Sequence, residues 1–217
     1  MLTLQICFVS FLAGYVLGSI PTGYLAGRIC CKMDIREHGS RSTGATNVLR
    51  ILGPLPAFIV LSIDFFKGFT SMLVGAWVAQ SLPLWLGGEP QMPQHVNVTI
   101  ALAGLGALLG HSRSIWLNFS GGKAAATGLG VLCAMSASVG LSTAFAFVVT
   151  LITFRIVSLS SLVAAFAAAV LVNVIGEPLP FRVLVVLGAA YVFALHRMNI
   201  LRLFNGLEPR LGKRGPD

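Results

Sequence analysis

Long apolar runs separated by short polar connections occupy most of the 217 residues. Leu2 to about Gly27 carries no charge, and a helix of that length reaches roughly 39 Å, beyond the ~30 Å of bilayer hydrocarbon. Leu52 to about Ser81 predicts a second span, interrupted only by Asp64 and Lys67. Shorter runs at about Val98 to Gly110, Ser161 to Ile175 and Phe181 to Leu195 predict three more. Ala124 to Val157 admits two readings: one long span, or a hairpin of two short helices turning near Ser138-Val-Gly140. The hairpin is favoured. It keeps Arg155 and Ser158-Leu-Ser-Ser161 on the basic face, and short helices are tolerated where they line a protein cavity. The pattern predicts an all-α polytopic membrane protein of about seven transmembrane helices, several of them short.

Composition agrees with that reading. Hydrophobic residues make up 56% of the chain and charged residues 10%, against about 25% charged in a soluble domain, so neither a water-facing surface nor a disordered chain can be built from it. The four cysteines have no metal-ligand or disulfide-framework spacing. No Lys or Arg precedes Arg28, so the first run lacks a signal peptide's basic leader and is expected to remain as a span.

The chain has 15 Lys and Arg against 7 Asp and Glu, a net charge of +8. All the basic residues except Lys67 and Arg182 fall in connections or at the C-terminal end that a single orientation puts on one side. The positive-inside rule makes that side the cytoplasm, with the N-terminus outside and the C-terminus cytoplasmic. Residues 1–217 are expected to form one domain with a polar cytoplasmic tail over about 205–217. Basic loops beside apolar spans favour membrane lipid headgroups or an anionic substrate over nucleic acid.

The same connections are rich in Gly, Ser, Thr, Asn and His, which orientation alone does not explain. In Glu37-His-Gly-Ser-Arg-Ser-Thr-Gly-Ala-Thr-Asn-Val-Leu-Arg50, Gly39 and Gly44 allow tight turns, and Ser40, Thr46 and Asn47 offer short polar groups. A helix starting near Thr46 would aim its N-terminus at an anion, and Arg50, one turn on, can grip a phosphate in bidentate fashion. An ordinary capped turn is the plain alternative. In Asn118-Phe-Ser-Gly-Gly-Lys-Ala-Ala-Ala-Thr127, Gly121 and Gly122 let amides approach an anion, and Lys123 adds a mobile charge; an anchor at the membrane surface is the alternative for Lys123. Ser158, Ser160 and Ser161 with Arg155 form a third cluster, and His196-Arg-Met-Asn199 a fourth. Asp64 and Lys67, three apart inside a span, are expected to pair or to line a polar cavity.

Taken in order, Gly18-Ser-Ile-Pro-Thr-Gly-Tyr24, Gly39-Ser40…Gly44-Ala-Thr-Asn47-Val-Leu-Arg50, Asp64-Phe-Phe-Lys-Gly68, Gly110-His-Ser112…Gly121-Gly-Lys123, Ile156-Val-Ser-Leu-Ser-Ser161 and His196-Arg-Met-Asn-Ile200 closely resemble the bacterial acyl-phosphate:glycerol-3-phosphate acyltransferase family, the cyanobacterial members above all. The resemblance covers nearly the whole chain. It implies a seven-helix enzyme of the cytoplasmic (inner) membrane, with its site at the cytoplasmic face. Such an enzyme transfers a fatty acyl group from acyl phosphate to the sn-1 hydroxyl of glycerol 3-phosphate, giving lysophosphatidic acid and phosphate, the first acylation of phospholipid synthesis. It implies no cofactor and no metal, and a supply of donor from an acyl-phosphate-generating enzyme.

Carried over by position, Ser40 and its loop amides would hold the acyl phosphate, while Arg50, Lys123, Ser158, His196 and Asn199 would hold glycerol 3-phosphate. Ser40, Lys123 and His196 are the candidate catalytic residues. Gly39, Gly44, Thr46, Asn47, Gly121 and Gly122 complete the candidate binding set. The chain departs from the family pattern at Arg41-Ser42, where Gly-Asn or Gly-Ser is usual, and at Ser120 and Ala124, where a basic residue and a Gly are usual.

An acyl phosphate is a mixed anhydride with a good leaving group, so the site must orient two anions and stabilise charge rather than build a strong nucleophile. His196 or a donor phosphate oxygen can take the hydroxyl proton. The His-x4-Asp pattern of thioester-dependent glycerol-phosphate acyltransferases is absent, since Thr43, Ile100, Trp116 and Leu201 stand five after His38, His95, His111 and His196. The Asp-x2-Asp-Gly pattern of alcohol phosphatidyltransferases is absent too. An anion or phosphate-ester transporter is the rival from another class.

Overall fold

The computed structural model describes residues 2–212 and is built from ten α-helices joined by short connections. They are α1 (Leu2–Ser19), α2 (Thr22–Cys31), α3 (Ala45–Leu52), α4 (Pro54–Trp85), α5 (Pro93–Ser112), α6 (Ala125–Met135), α7 (Ala137–Phe154), α8 (Val157–Val174), α9 (Leu179–Leu195) and α10 (Arg197–Phe204). Among the described residues the only β-type pairing is an isolated bridge between Ser114 and Ser120. The chain is all-α, as the apolar pattern predicts. Residues 213–217 of the expected polar tail lie outside the described residues.

Each expected run is a helix, with shifted ends. The first is broken where Pro21 caps α2; proline has no amide hydrogen to continue the ladder of α1. The helix foreseen near Thr46 begins at Ala45. Ala124 to Val157 is two helices, and the break falls at Ser136, whose side chain caps the Val139 amide at 3.5 Å. Gly140 lies against Cys133 across that break, so the chain doubles back a few residues earlier than the sequence pattern places the turn. Four segments are long and apolar enough to cross a membrane: Leu2–Cys31, Pro54–Trp85, Ala137–Phe154 and Val157–Val174. A fifth qualifies if α9 and α10, bent by 62°, are taken together.

Large apolar side chains face outward along these helices, among them Leu4, Phe58, Phe145, Ile152 and Phe166. That is the inverse of a soluble core and suits a hydrocarbon solvent. Inside, small residues take over, because lipid offers no hydrophobic drive for helix association and close backbone approach must supply it. The tightest case is α1 on α5. A Cβ on Gly14 or Gly18 would land on the backbone of Ala103 or Ala107, and one on Gly106 or Gly110 on the backbone of Phe11 or Tyr15. Ser10 Oγ adds a hydrogen bond to the Thr99 carbonyl at 2.8 Å.

The Gly14→Leu variant is therefore expected to lose about 2 kcal/mol or more of stability, since overpacking against backbone cannot be relieved by a rotamer change. Val16→Leu, at a position facing outward, is the control. Thermal unfolding in detergent reads both; equal midpoints for the two variants would refute the close-packed seam.

Candidate active site

One cavity of about 540 Å³ opens where the basic connections meet. The first connection, 32–44, is organised by Asn47. Its Oδ1 accepts the Ser40 amide at 2.8 Å, and its Nδ2 donates to the carbonyls of Ile35, His38 and Ser42 at 3.2, 3.1 and 2.9 Å. Both ends of this buried carboxamide are engaged within the loop. Asn47 therefore builds the loop rather than presenting its side chain to a ligand. The Arg41 and Gly44 amides are likewise taken, by the His38 carbonyl and Ser42 Oγ. The first-turn amides of α3, at Ala45 and Thr46, are left as the orphan donors of a helix start, and both residues line the cavity with Ser40, Gly44 and Arg50.

Arg41 has φ 57°, so an arginine holds a left-handed backbone that a glycine would adopt easily. Gly39, also at φ 57°, sits against the Asn47 carboxamide and does not line the cavity. Arg36 joins the first connection to the second: its guanidinium pairs with Asp34 at 2.7 Å and reaches Ser120 Oγ at 3.3 Å. Hydrogen bonds from Arg36, working against partial burial, bring Asp34 down to about 2. A cation thus stands beside Ser120.

The second connection, 113–124, does not present its glycine pair to the cavity. The Gly122 amide donates to the His111 carbonyl at 3.0 Å, and both glycines press on His111. The expected amide cradle at Gly121 and Gly122 is a seat for the end of α5 instead, because the paired glycines let two backbone segments touch. Lys123 does reach the cavity, with Nζ donating to Asn199 Oδ1 at 2.6 Å.

Glu208 is the hub of the remaining contacts. Its Oε1 accepts Ser158 Oγ at 2.7 Å and Asn199 Nδ2 at 2.6 Å, and its Oε2 accepts Arg202 Nε at 2.7 Å. The Leu211 amide bonds the Arg155 carbonyl at 2.7 Å, which ties the segment after α10 to the turn between α7 and α8. Burial alone would raise the Glu208 carboxyl, but hydrogen bonds from Asn199, Ser158 and Arg202 hold it below the usual carboxylate range. Burial lowers the Lys123 ammonium; Glu208 opposes this, and Arg202 and Arg50 add to it.

Ser160 and Ser161 bond the carbonyls of Ile156 and Val157 within α8, so Ser158 alone of that cluster turns to the network. His196, 3% exposed, places Nδ1 2.8 Å from the Val192 carbonyl. A carbonyl only accepts, so Nδ1 carries the hydrogen and Nε2 of the neutral ring is an acceptor. Asp64 and Lys67 pair at 2.8 Å; Asp64 and His111 line the deep polar wall. No sequence argument had put His111 in the site, although the Gly110-His-Ser112 string marked it. Away from these groups the cavity runs between α4, α6, α7, α8 and α9 over apolar side chains including Phe65, Phe147, Ala164, Ala168 and Val185.

Ser40, Gly44, Thr46, Asn47, Arg50, Lys123, Ser158, His196 and Asn199 thus share one cavity, drawn from across the sequence. Only Gly39, Gly121 and Gly122 of the candidate set stand behind it.

Comparison with known proteins gives a consistent picture. A family model described as Glycerol-3-phosphate acyltransferase matches residues 8–206. Glycerol-3-phosphate acyltransferase 2 of Rhizobium johnstonii is 51% identical over 209 residues, 94% of this chain and 95% of that protein. A glycerol-3-phosphate acyltransferase of Synechococcus sp. (strain JA-3-3Ab) is 46% identical over 203 residues, 94% of this chain and 92% of its own length. The crystal structure of PlsY, an integral membrane glycerol 3-phosphate acyltransferase, in its glycerol 3-phosphate form superposes with a TM-score of 0.81 at 32% identity, covering 98% of this chain and 96% of that one. A second crystal structure of PlsY, in a lysophosphatidic acid form, gives a TM-score of 0.80 over 95% of both chains.

The network around Glu208 has a direct consequence. In Glu208→Ala the buried Ser158 and Asn199 donors lose their acceptor, at a cost of about 2 kcal/mol or more in stability. Because the folded-state pKa is depressed, the stabilisation from Glu208 is present above the unfolded-state value and fades as pH falls through the folded one. Unfolding midpoints measured down an acid series should converge for wild type and variant; a constant gap would contradict the assignment.

Proposed function

The chain belongs to the glycerol-3-phosphate acyltransferase family, and on that premise we propose that it transfers a fatty acyl group from an acyl phosphate to the sn-1 hydroxyl of glycerol 3-phosphate. The observation that carries the reading is the joining of a cationic, hydrogen-bonding mouth to an apolar groove within one cavity. The mouth suits two phosphates and the groove suits an acyl chain.

In the reaction, the substrate hydroxyl oxygen bonds to the acyl carbonyl carbon as the bond from that carbon to the donor's phosphate oxygen breaks. Lysophosphatidic acid and inorganic phosphate leave. Ser40 and the Ala45 and Thr46 amides are assigned to the donor phosphate. Arg50 and Lys123, with Ser158, His196 and Asn199, are assigned to glycerol 3-phosphate. Two anions repel, so bringing them together depends on cations fixed in advance in a site of low dielectric. The hydroxyl proton passes to an oxygen of the departing phosphate, and His196 Nε2, an acceptor in the neutral ring, takes a hydrogen bond from the other hydroxyl of glycerol 3-phosphate and so orients the substrate.

The chain is proposed to form a single domain in the inner membrane, with seven embedded segments: α1 with α2, α4, α5, α6, α7, α8 and α9. The N-terminus lies outside, and the C-terminus and cavity mouth face the cytoplasm, on the side of the basic connections. The 11-residue α6 reaches only roughly 16 Å and enters partway, which is allowed because neighbouring helices cover it. The donor is expected to come from an enzyme that makes acyl phosphates.

Purified protein given acyl phosphate and labelled glycerol 3-phosphate should yield labelled lysophosphatidic acid and one phosphate per product. Uptake of glycerol 3-phosphate into vesicles with no product would favour a transporter. Lys123→Ala should raise KM for glycerol 3-phosphate about tenfold or more, the scale of a lost charge-assisted contact, and unchanged kinetics would remove Lys123 from the site. Ser40→Ala should depress turnover with acyl phosphate.

A further inference from the structure

We propose that Asp64, Lys67 and His111 form a positioning frame for Lys123, with the His111 imidazole as the wedge that sets where the lysine leaves the backbone; this rests on the glycerol 3-phosphate reading above. All three are buried, at 1%, 6% and 7% exposed. Asp64 Oδ1 accepts Thr22 Oγ1 at 2.6 Å and faces Lys67 Nζ at 2.8 Å and His111 Nδ1 at 3.5 Å. Lys67 Nζ also donates to the Ile20 carbonyl at 3.2 Å, at the break between α1 and α2. Groups from α2, α4, α5 and the α1–α2 break meet at this point, where Asp64 and His111 line the cavity and Lys67 stands behind them.

A carboxylate behind an imidazole invites a general-base reading, and the geometry opposes it. A base must present Nε2 to the substrate. Here Nε2 abuts Gly122, so that a Cβ on that residue would collide with the ring. The imidazole is wedged between Asp64 and the second connection. The His111 carbonyl holds the same connection from the backbone side: it accepts the Gly122 amide at 3.0 Å, and a Cβ on Gly121 would strike it. The residue after Gly122 is Lys123, whose ammonium is fixed only at its far end, by Asn199. A lysine on a flexible four-carbon stem needs its Cα fixed as well, if its charge is to stand ready for a phosphate.

The frame also accounts for an ion pair inside an apolar helix, where two well-packed apolar side chains would cost less. The pair immobilises Asp64, Asp64 backs His111, and His111 backs the glycine pair.

Initial rates over both substrates, measured on purified wild type, His111→Ala, Gly122→Ala and the double variant, test this. Each single variant should raise KM for glycerol 3-phosphate about tenfold while KM for acyl phosphate stays within about twofold. A loss of folded protein would lower the apparent turnover and shift neither KM. In the double variant the methyl group introduced by Gly122→Ala occupies space vacated by the imidazole. Its KM should therefore stay near that of one single variant, well short of the roughly hundredfold product expected of independent sites.

Multiplying effects, an unchanged KM in His111→Ala, or a rise confined to the acyl phosphate KM would each overturn the frame. Where His111→Ala is not recovered folded, Gly122→Ala, which leaves the ion pair intact, carries the test, and an unaltered KM for glycerol 3-phosphate overturns the proposal. Wild type that makes no lysophosphatidic acid refutes the functional reading itself. Active wild type with kinetically silent variants refutes the frame alone.

Discussion

A bilayer supplies no water to an unpaired backbone amide or carbonyl, so the helices can be interrupted only at the membrane faces or where protein or a protein-lined cavity covers the freed groups. The arrangement of this chain follows from where those interruptions fall. Among the described residues the non-glycine residues in left-handed backbone are Lys32, Arg41, Asn118, Phe119, Ala124 and Arg155. They lie in the connections 32–44, 113–124 and 155–156, which lead into α3, α6 and α8. Each such residue costs about 1–2 kcal/mol relative to right-handed backbone. The connections at 86–92 and 175–178, away from the cavity, take this geometry at Gly87 and Gly176. Strain is thus concentrated where the site is built, and the hydrogen bonds of Asn47, Arg36 and Glu208 hold it there.

The same rule decided what could be read in advance. Apolar runs are one-dimensional signals, and Leu2 to Gly27, Leu52 to Ser81 and Phe181 to Leu195 are helices, broken or extended by a turn. Residues grouped by type near a charge, such as Arg50, Lys123, His196 and Asn199, do meet at one cavity. Contacts that close over long separations were not readable. Nothing local marks Glu208 as the partner of Ser158, 50 residues earlier, or of Asn199 in the preceding helix.

Glycines were the most ambiguous letters. A Gly-Gly-Lys string suggests exposed amides for an anion, whereas Gly121 and Gly122 serve a close approach to His111. The two uses need the same missing side chain, and only the neighbour distinguishes them. Asn47 follows the same logic in reverse. It stands among polar residues of ligand-binding type, yet both ends of its carboxamide are turned inward on its own loop. The polar loop had two demands to meet, shape and ligand, and sequence alone does not divide residues between them.

The division of charge inside the cavity has a direct bearing on anion binding. Glu208 and Lys123 share Asn199 as a partner, and a direct pair between them would cancel the charge a phosphate needs. Instead Glu208 is bound by Ser158, Asn199 and Arg202, and Lys123 rests on the neutral oxygen of Asn199. One carboxamide separates the two charges, accepting from the cation and donating to the anion. A dianionic phosphate can draw Lys123 from a neutral acceptor at small cost, whereas taking it from a carboxylate would forfeit a charge-assisted bond roughly twice as strong. Asn199 therefore leaves the cavity mouth electropositive while the acid stays satisfied, and a carboxylate at that position would remove both properties together.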